Sequence, residues 1–351
     1  MSLIHLPQAK WASGTGRQVI LKSDFEKIEQ AVLEGFQLAL GPPLEYVDAA
    51  SVRVNATADC KSRVLLCGFP NPLYPGQWVS GELTDGRYRE NATTLTLNFA
   101  TSGHIWGTEK ASQWYAVYAL AGSGDTSFTL KAMPVMRVSS QTTQIITLRN
   151  NGDTGDLGYG FTANELAEGK ILVLSGASKG LVRLITANNS DNSTGGTITY
   201  GGSALTLAQG DWFVVLPNTN FRYLGVVLND SDSHLVPFYQ DAGRCAYKTP
   251  RQAASGAING YTLFDLGLLI PPTARLLKGY AAATGGAEVK LAVSYDGSNA
   301  ALILQGAAPA GDFQGVRGAV PFSCRLLEGS RIYFNNENTA NQAVQITGWE
   351  E

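Results

Sequence analysis

The sequence predicts a mainly β protein. Small antiparallel sandwich and barrel modules follow one another, with one short α-helix near the N-terminus and a jelly-roll-like sandwich at the C-terminus. Three observations predict it. Apolar residues recur with period two: Leu95, Leu97 and Phe99 fall on one side of a segment whose other side is Thr94, Thr96 and Asn98. Turn formers interrupt these segments at short intervals, and 39 of the 351 residues are glycine. Charged residues make up 16% of the chain, below the usual share of about a quarter, while apolar residues reach 44%. That is the composition of short strands joined by tight turns.

The same numbers exclude several classes. A net charge of -3 without clustered Lys and Arg argues against nucleic acid, whose phosphates are bound by such clusters. No apolar run is long enough to cross a bilayer, so no membrane insertion is expected. Residues 1–7 lack a basic start and a long apolar segment, so they are not read as a secretory signal, and synthesis in a cytoplasm is expected. Four cysteines are too few for a disulfide scaffold of this length. Cys60 and Cys67 flank the apolar segment Arg63 to Leu66 without zinc-ligand spacing, and read as small buried residues. No cofactor and no metal is expected.

Taken in order, residues 1–45 form a tail and a helix. Ser23 and Glu26 make a capping box, in which hydroxyl and carboxylate satisfy backbone donors at the helix start. Phe25, Ile28, Val32 and Phe36 lie on one stripe, and Gly41-Pro42-Pro43 stops the helix. The stripe fits packing on its own domain, or a seam between identical chains. From about residue 46 the period becomes two. Ser51 to Asn55, Arg63 to Cys67 and Thr93 to Ala100 suit strands, joined through Pro70, Pro72, Pro75, Gly76 and Asp85-Gly86. Gln113 to Leu120 reads as a strand buried on both faces, and Phe128 to Ala132 pairs with it across Gly122 and Gly124.

Five short strands follow: Gln144 to Leu148, Lys170 to Leu174, Leu181 to Thr186, Thr197 to Tyr200 and Asp211 to Leu216. They suit a small antiparallel barrel or sandwich. Phe221 to Leu228 and Leu235 to Tyr239 read as a hairpin around the polar turn Asn229 to Ser233. After Tyr247-Lys248-Thr249-Pro250 a polar, small-residue linker is expected to run to Gly260. The last hundred residues hold about seven strands: Tyr261 to Leu266, Ala274 to Ala283, Glu288 to Tyr295, Ala301 to Leu304, Gly318 to Cys324, Arg331 to Phe334 and Ala343 to Trp349. Turns fall at Gly285-Gly286 and Asp296-Gly297.

Several of these segments resemble tail-fibre and receptor-binding proteins of tailed bacteriophages. The central stretch is similar to a recurring F-R-x-L-G…D-x-S…F-x-Q pattern, here Phe221-Arg222-Tyr223-Leu224-Gly225 through Phe238-Tyr239-Gln240. Trp114-Tyr115-Ala116-Val117-Tyr118-Ala119 resembles the W-Y-x-V-Y-A strand that precedes that pattern. Ile20 to Gln30 resembles a lead-in helix, and Val344 to Trp349 a V-x-I-x-G-W closing strand. Because the family joins its two central segments directly, the resemblance implies an inserted domain at 138–216 within a discontinuous host at 46–137 plus 217–250. A sandwich at 251–351 follows. It further implies a non-enzymatic virion structural protein, self-assembled into a homo-oligomer, a trimer first. Residues 1–45 would contact other virion proteins, and the distal domain host surface polysaccharide. A capsid or neck decoration protein fits the same composition, and a polysaccharide depolymerase is the enzymatic alternative.

The residues themselves offer little chemistry. His5, His104 and His234 are scattered, and no Gly-x-Ser-x-Gly elbow or phosphate loop occurs. A depolymerase needs two carboxylates a few ångströms apart. Asp85, Glu90, Asp230, Asp232 and Glu288 are the pool, each read as a solvated turn or strand residue. Asn229 to Asp232 and Asn188 to Asn192 are oxygen-rich without EF-hand spacing. Sugar faces stack on Trp and Tyr rings. Trp78, Trp106, Trp212, Trp349, Tyr295 and Tyr333 are therefore weighed, with Trp106 and Trp114 read as core. The glycan candidates are Tyr295 with Asp296 at a strand tip, and Tyr333 with Asn335 and Asn336 at another. Catalytic residues are not expected.

Overall fold

The computed structural model describes residues 41–58, 60–74, 77–79, 88–149, 158–190, 196–241, 243–255, 258–283, 289–294, 302–306, 318–326, 330–336 and 342–351. The helix expected from Ser23 lies outside them, and among the described residues the regular structure is all strand. Seven short strands come first: β1 (Glu45–Asp48), β2 (Ser51–Val54), β3 (Ser62–Leu65), β4 (Phe69–Pro70), β5 (Trp78–Val79), β6 (Tyr88–Asn91) and β7 (Leu95–Asn98). β1, β2 and β7 form one antiparallel sheet, and β3–β6 and β4–β5 are two-stranded ladders.

β8 (Trp114–Ala121) and β9 (Thr129–Pro134) form a hairpin. The chain then enters β10 (Met136–Thr142), β11 (Ile145–Arg149), β12 (Lys170–Val173), β13 (Val182–Asn188), β14 (Thr197–Tyr200) and β15 (Trp212–Leu216). These six close into a barrel in the order β10-β11-β14-β13-β12-β15. Closure pairs every strand on both sides, so the barrel presents no open edge. Of its strands, only β10 escapes the sequence pattern, because its second half is polar. One end is plugged by Gln141, whose Nε2 donates to the Tyr200 hydroxyl at 2.7 Å and to Leu205 O at 2.7 Å.

The chain leaves the barrel through β16 (Asn220–Leu228), which pairs along its length with β8. The barrel is thus carried between two strands of the sheet β16-β8-β9. All nine residues of β16 are buried because this sheet separates two cores. Trp114, Ala116 and Tyr118 of β8 face one core, and Tyr115, Val117 and Ala119 the other. On β16 the phase changes midway. Phe221 and Tyr223 share a face with Val226 and Leu228, and a bulge between Tyr223 and Gly225 makes the switch.

β17 (Phe238–Asp241), β18 (Arg244–Ser255), β19 (Ile258–Asp265), β20 (Leu276–Ala283), β21 (Val289–Ser294), β22 (Leu302–Gly306), β23 (Gly318–Arg325), β24 (Arg331–Asn336) and β25 (Gln342–Glu350) complete the chain. Their sheets run β17-β18-β25-β20-β23 and β19-β24-β21-β22. Counted from β18, one sheet is first–eighth–third–sixth and the other second–seventh–fourth–fifth, the connectivity of a jelly roll.

Two expectations change here. The turn after β16 forms, with Asp230 N donating to His234 O at 2.8 Å, but the expected hairpin lasts only to Val236. β17 then leaves and pairs with β18. The linker expected after Pro250 is mostly strand: β18 continues to Ser255 and β19 begins at Ile258. From Lys248 to Ser255 only Ala254 is buried, and a register shift between Ala246 and Arg251 accommodates Pro250, which has no N–H to give.

The three modules share one core. The Trp114 indole N–H donates to Gly267 O at 2.6 Å, and its ring meets Trp349 edge-on at 5.4 Å. The Tyr118 hydroxyl donates to Val215 O of the barrel at 3.2 Å, and Arg137 pairs with Asp265 at 2.7 Å.

Candidate functional site

The central motif builds scaffold. Arg222 is buried, donates to Cys67 Sγ at 2.9 Å and places its guanidinium 4.1 Å from the Trp78 ring centre. Gly225, at φ +150°, forms the bulge, and the Gln240 amide lies where a Cβ would project, 2.6 Å away. Gln240 in turn donates to Leu224 O at 2.8 Å and accepts from Leu44 N at 3.1 Å. Phe221, Arg222, Leu224, Gly225 and Gln240 therefore clamp sheet to sheet.

The expected site residues are only partly brought together. Tyr295 and Asp296 lie outside the described residues, as do Asp85 and Glu288. On β24, Ile332 and Phe334 are buried in the jelly-roll core. Tyr333 and Asn335 lie on the opposite face by alternation, half-buried. Tyr333 pairs with Leu263 of β19 and Ser294 of β21. Asn336 closes the strand opposite Ile258.

Other members of the aromatic pool are occupied by this chain's own cations. Lys131 sits over Trp106 at 4.3 Å, Arg137 over Trp212 at 4.7 Å, and Arg222 over Trp78. Trp349 is buried. Of the carboxylates, Glu90 and Asp230 are engaged as well. Glu90 pairs with Lys61 at 2.6 Å and Arg63 at 3.2 Å, which hold it below the usual carboxylate range. Asp230, Asp232 and His234 come close enough to ligate one ion, yet Asp230 Oδ1 accepts the backbone N–H groups of Asp232 and His234, both at 2.9 Å. That bonding is a side-chain-closed turn.

A cleft of about 200 Å³ opens where the three modules meet. Its floor is polar. The Tyr223 hydroxyl lies 2.8 Å from both carboxylate oxygens of Glu351, and the Thr273 hydroxyl donates to one of them at 2.6 Å. Burial raises the Glu351 carboxyl above its usual range, opposed by the Thr273 and Tyr223 hydrogen bonds and the Arg275 charge. Burial also raises the Tyr223 phenol well above its usual value. Arg275 donates to Asn71 O at 2.8 Å, which fixes one arm of its guanidinium on the wall. Lys179, from the tight turn between β12 and β13, and Arg325, at the end of β23, complete the lining. Gly180 (φ +81°) permits this approach, because Leu73 packs where its Cβ would stand.

Sequence reasoning missed the cleft because its residues are brought together only by the assembly of all three modules. Their one common signal is position: Arg325 ends a strand and Lys179, Thr273 and Arg275 sit in turns. No protein-family model, no curated protein and no solved structure matches the chain.

Proposed function

We propose that this chain is a non-enzymatic structural protein of a tailed-phage or prophage particle, of the tail-fibre or receptor-binding type. It assembles as a homo-oligomer, a trimer first, and contacts host surface glycan. One observation carries the reading. The two segments with tail-fibre resemblance, β8 and β16, are hydrogen-bonded partners in one sheet that divides two cores and adjoins a barrel and a jelly roll. Such a chain is a rigid carrier of modules. Its motif residues act in packing, and recognition falls to the clefts and outer faces of the modules.

Light scattering of the purified full chain at several concentrations tests the assembly, and adsorption to a panel of bacteria tests the role. A concentration-independent trimer that adsorbs to cells and competes with particle adsorption is the expected result. A monomer that adsorbs to nothing overturns the reading and favours a decoration role. Release of short saccharides from surface polysaccharide overturns the non-enzymatic part.

A further inference from the structure

We propose that the apolar stripe Phe25, Ile28, Val32 and Phe36 docks on this chain's own surface, over Leu73, Tyr74 and Trp78 of the β4–β5 hairpin and Leu181 of the barrel. The occupant is a segment of the same chain that lies outside the described residues. This docking is independent of the receptor-binding reading.

The surface is apolar, exposed and built. Leu73 is 46% exposed, Tyr74 57%, Trp78 38% and Leu181 41%. Large apolar side chains grouped in water mark a surface that something covers. Two contacts hold the group together. Leu73 packs where a Gly180 Cβ would stand, which joins the hairpin to the barrel turn that carries Leu181. Asn71 Oδ1 accepts from Leu73 N at 2.9 Å and from Tyr74 N at 3.2 Å, so the turn presenting both side chains is closed by a third. Trp78, opposite Pro70 in the ladder, lays its ring on the Arg222 guanidinium.

The described chain begins beside this surface. A Cβ at Gly41 would stand 3.5 Å from Leu224 Cδ2 and 3.6 Å from Arg222 Nε. The same guanidinium lies 4.1 Å from the Trp78 ring centre, so Arg222 bridges Gly41 and the patch. Pro42 and Leu44 are buried, and Leu44 N donates to Gln240 Oε1 at 3.1 Å, which anchors the chain at this point. Gly41 has φ +78°, the left-handed conformation in which helices commonly end, and Pro42 follows it. The stop signal and the stop geometry of the helix expected from Ser23 therefore coincide. Phe36 lies five residues before Gly41. That is ~7.5 Å along a helix and at most ~18 Å along an extended chain. The last member of the stripe cannot leave the neighbourhood of Trp78.

Other occupants fit less well. The stripe of a second copy is tethered first to its own Gly41 and its own patch. A short tether gives an effective concentration on the order of millimolar, which a separate copy does not match in dilute solution. A seam of stripes between copies would bury the stripe and leave the four patch residues in water.

Hydrogen exchange of the full chain, read by mass spectrometry at several protein concentrations, tests this. Residues 25–36 are expected to exchange at least ~10-fold more slowly in the parent than in Tyr74→Asp or Leu181→Asp, because a lone helix of this length is marginal in water. Phe36→Asp is expected to speed the same amides and to leave the mass from light scattering unchanged. Leu263→Asp, which alters a comparably exposed residue of β19, is expected to change nothing. Unfolding midpoints check that each variant folds, and Tyr74→Ser and Leu181→Ser give the same readout where an introduced charge unfolds the chain. Unprotected residues 25–36 in the parent, or protection that survives both patch variants, overturns the proposal. Protection that fades on dilution assigns the patch to a second copy and overturns it as well. A fall in mass with Phe36→Asp makes the stripe a seam between copies, with the same consequence.

Discussion

β16 and β18 lie either side of the Asp230 turn and obey opposite rules. Every residue of β16 is buried, because the sheet it shares with β8 divides two cores. β18 has one wet face, with Cys245, Tyr247 and Ala254 inward and much of the remainder toward solvent. A strand with a core on each side has no face left for a partner, so its sequence is dictated by packing on both sides. A strand with one wet face is constrained at every second position only. The difference explains why the segment most conspicuous in sequence is scaffold, and why the cleft is assembled from strand ends and turns.

The largest test of this contrast is Trp114→Ala on β8. It removes a fully buried ring, its bond to Gly267 O and its contact with Trp349, and should destabilise the chain by ~3–5 kcal/mol. Tyr239→Ala, on exposed β17, should stay within ~0.5 kcal/mol. Denaturant midpoints of the two variants measure the gap, and similar losses would break the distinction between the two regions.

Next comes the clamp. Gly225→Ala sets a Cβ against the Gln240 amide at a backbone angle that side chains rarely adopt, and should cost about 1–3 kcal/mol. Adding Gln240→Ala should relieve the clash but not the backbone strain, so the double variant is expected to be non-additive. Strict additivity in thermal unfolding would show that the two residues do not meet.

How much of this was legible follows the same division. The strand alternation of Leu95 to Asn98, the apolar run of β15 and the closing strand of the jelly roll are local patterns, and each forms close to where period two places it. The second half of β18, Arg251 to Ser255, is small and polar and reads as a linker, while the tertiary partner β25 decides for strand. The hairpin after β16 was half legible: Asp230 sets the turn, but the destination of β17 depends on a sheet more than a hundred residues long in sequence. The cleft was not legible at all, because Tyr223 of the central sheet meets Thr273 and Glu351 of the jelly roll only through the packing of one module on another.

Glu351 should leave a mark on the pH dependence of stability. Burial raises its folded value above the ordinary 4.5, so between the two values the folded chain binds more protons than the unfolded one. Stability on this account is highest below the unfolded value and falls as pH rises through the window. Glu45 and Glu350 act oppositely. Hydrogen bonds from Arg53 and Lys278, respectively, lower them, and their contribution, present above 4.5, fades as pH falls. Both are exposed pairs of small effect. Unfolding free energies from pH 4 to 8 should therefore show a downward slope that Glu351→Gln removes. An unchanged slope in that variant would place the origin elsewhere.

The smallest effect is expected at the Asp230 turn, and it separates a structural loop from an ion site. Asp230 Oδ1 accepts two backbone N–H groups, which an Asn amide oxygen can also do. Asp230→Asn should then change stability by a few tenths of a kcal/mol at most, and Asp230→Ala by ~0.5–1.5 kcal/mol through the lost bonds. A bound cation would behave differently. Ligand binding to the folded chain adds ~2.7 kcal/mol at a hundred times its dissociation constant, and removing one carboxylate would abolish that gain. Millimolar calcium is expected to leave the unfolding midpoint of both parent and Asp230→Asn unchanged. A calcium-dependent rise confined to the parent would make the turn an ion site.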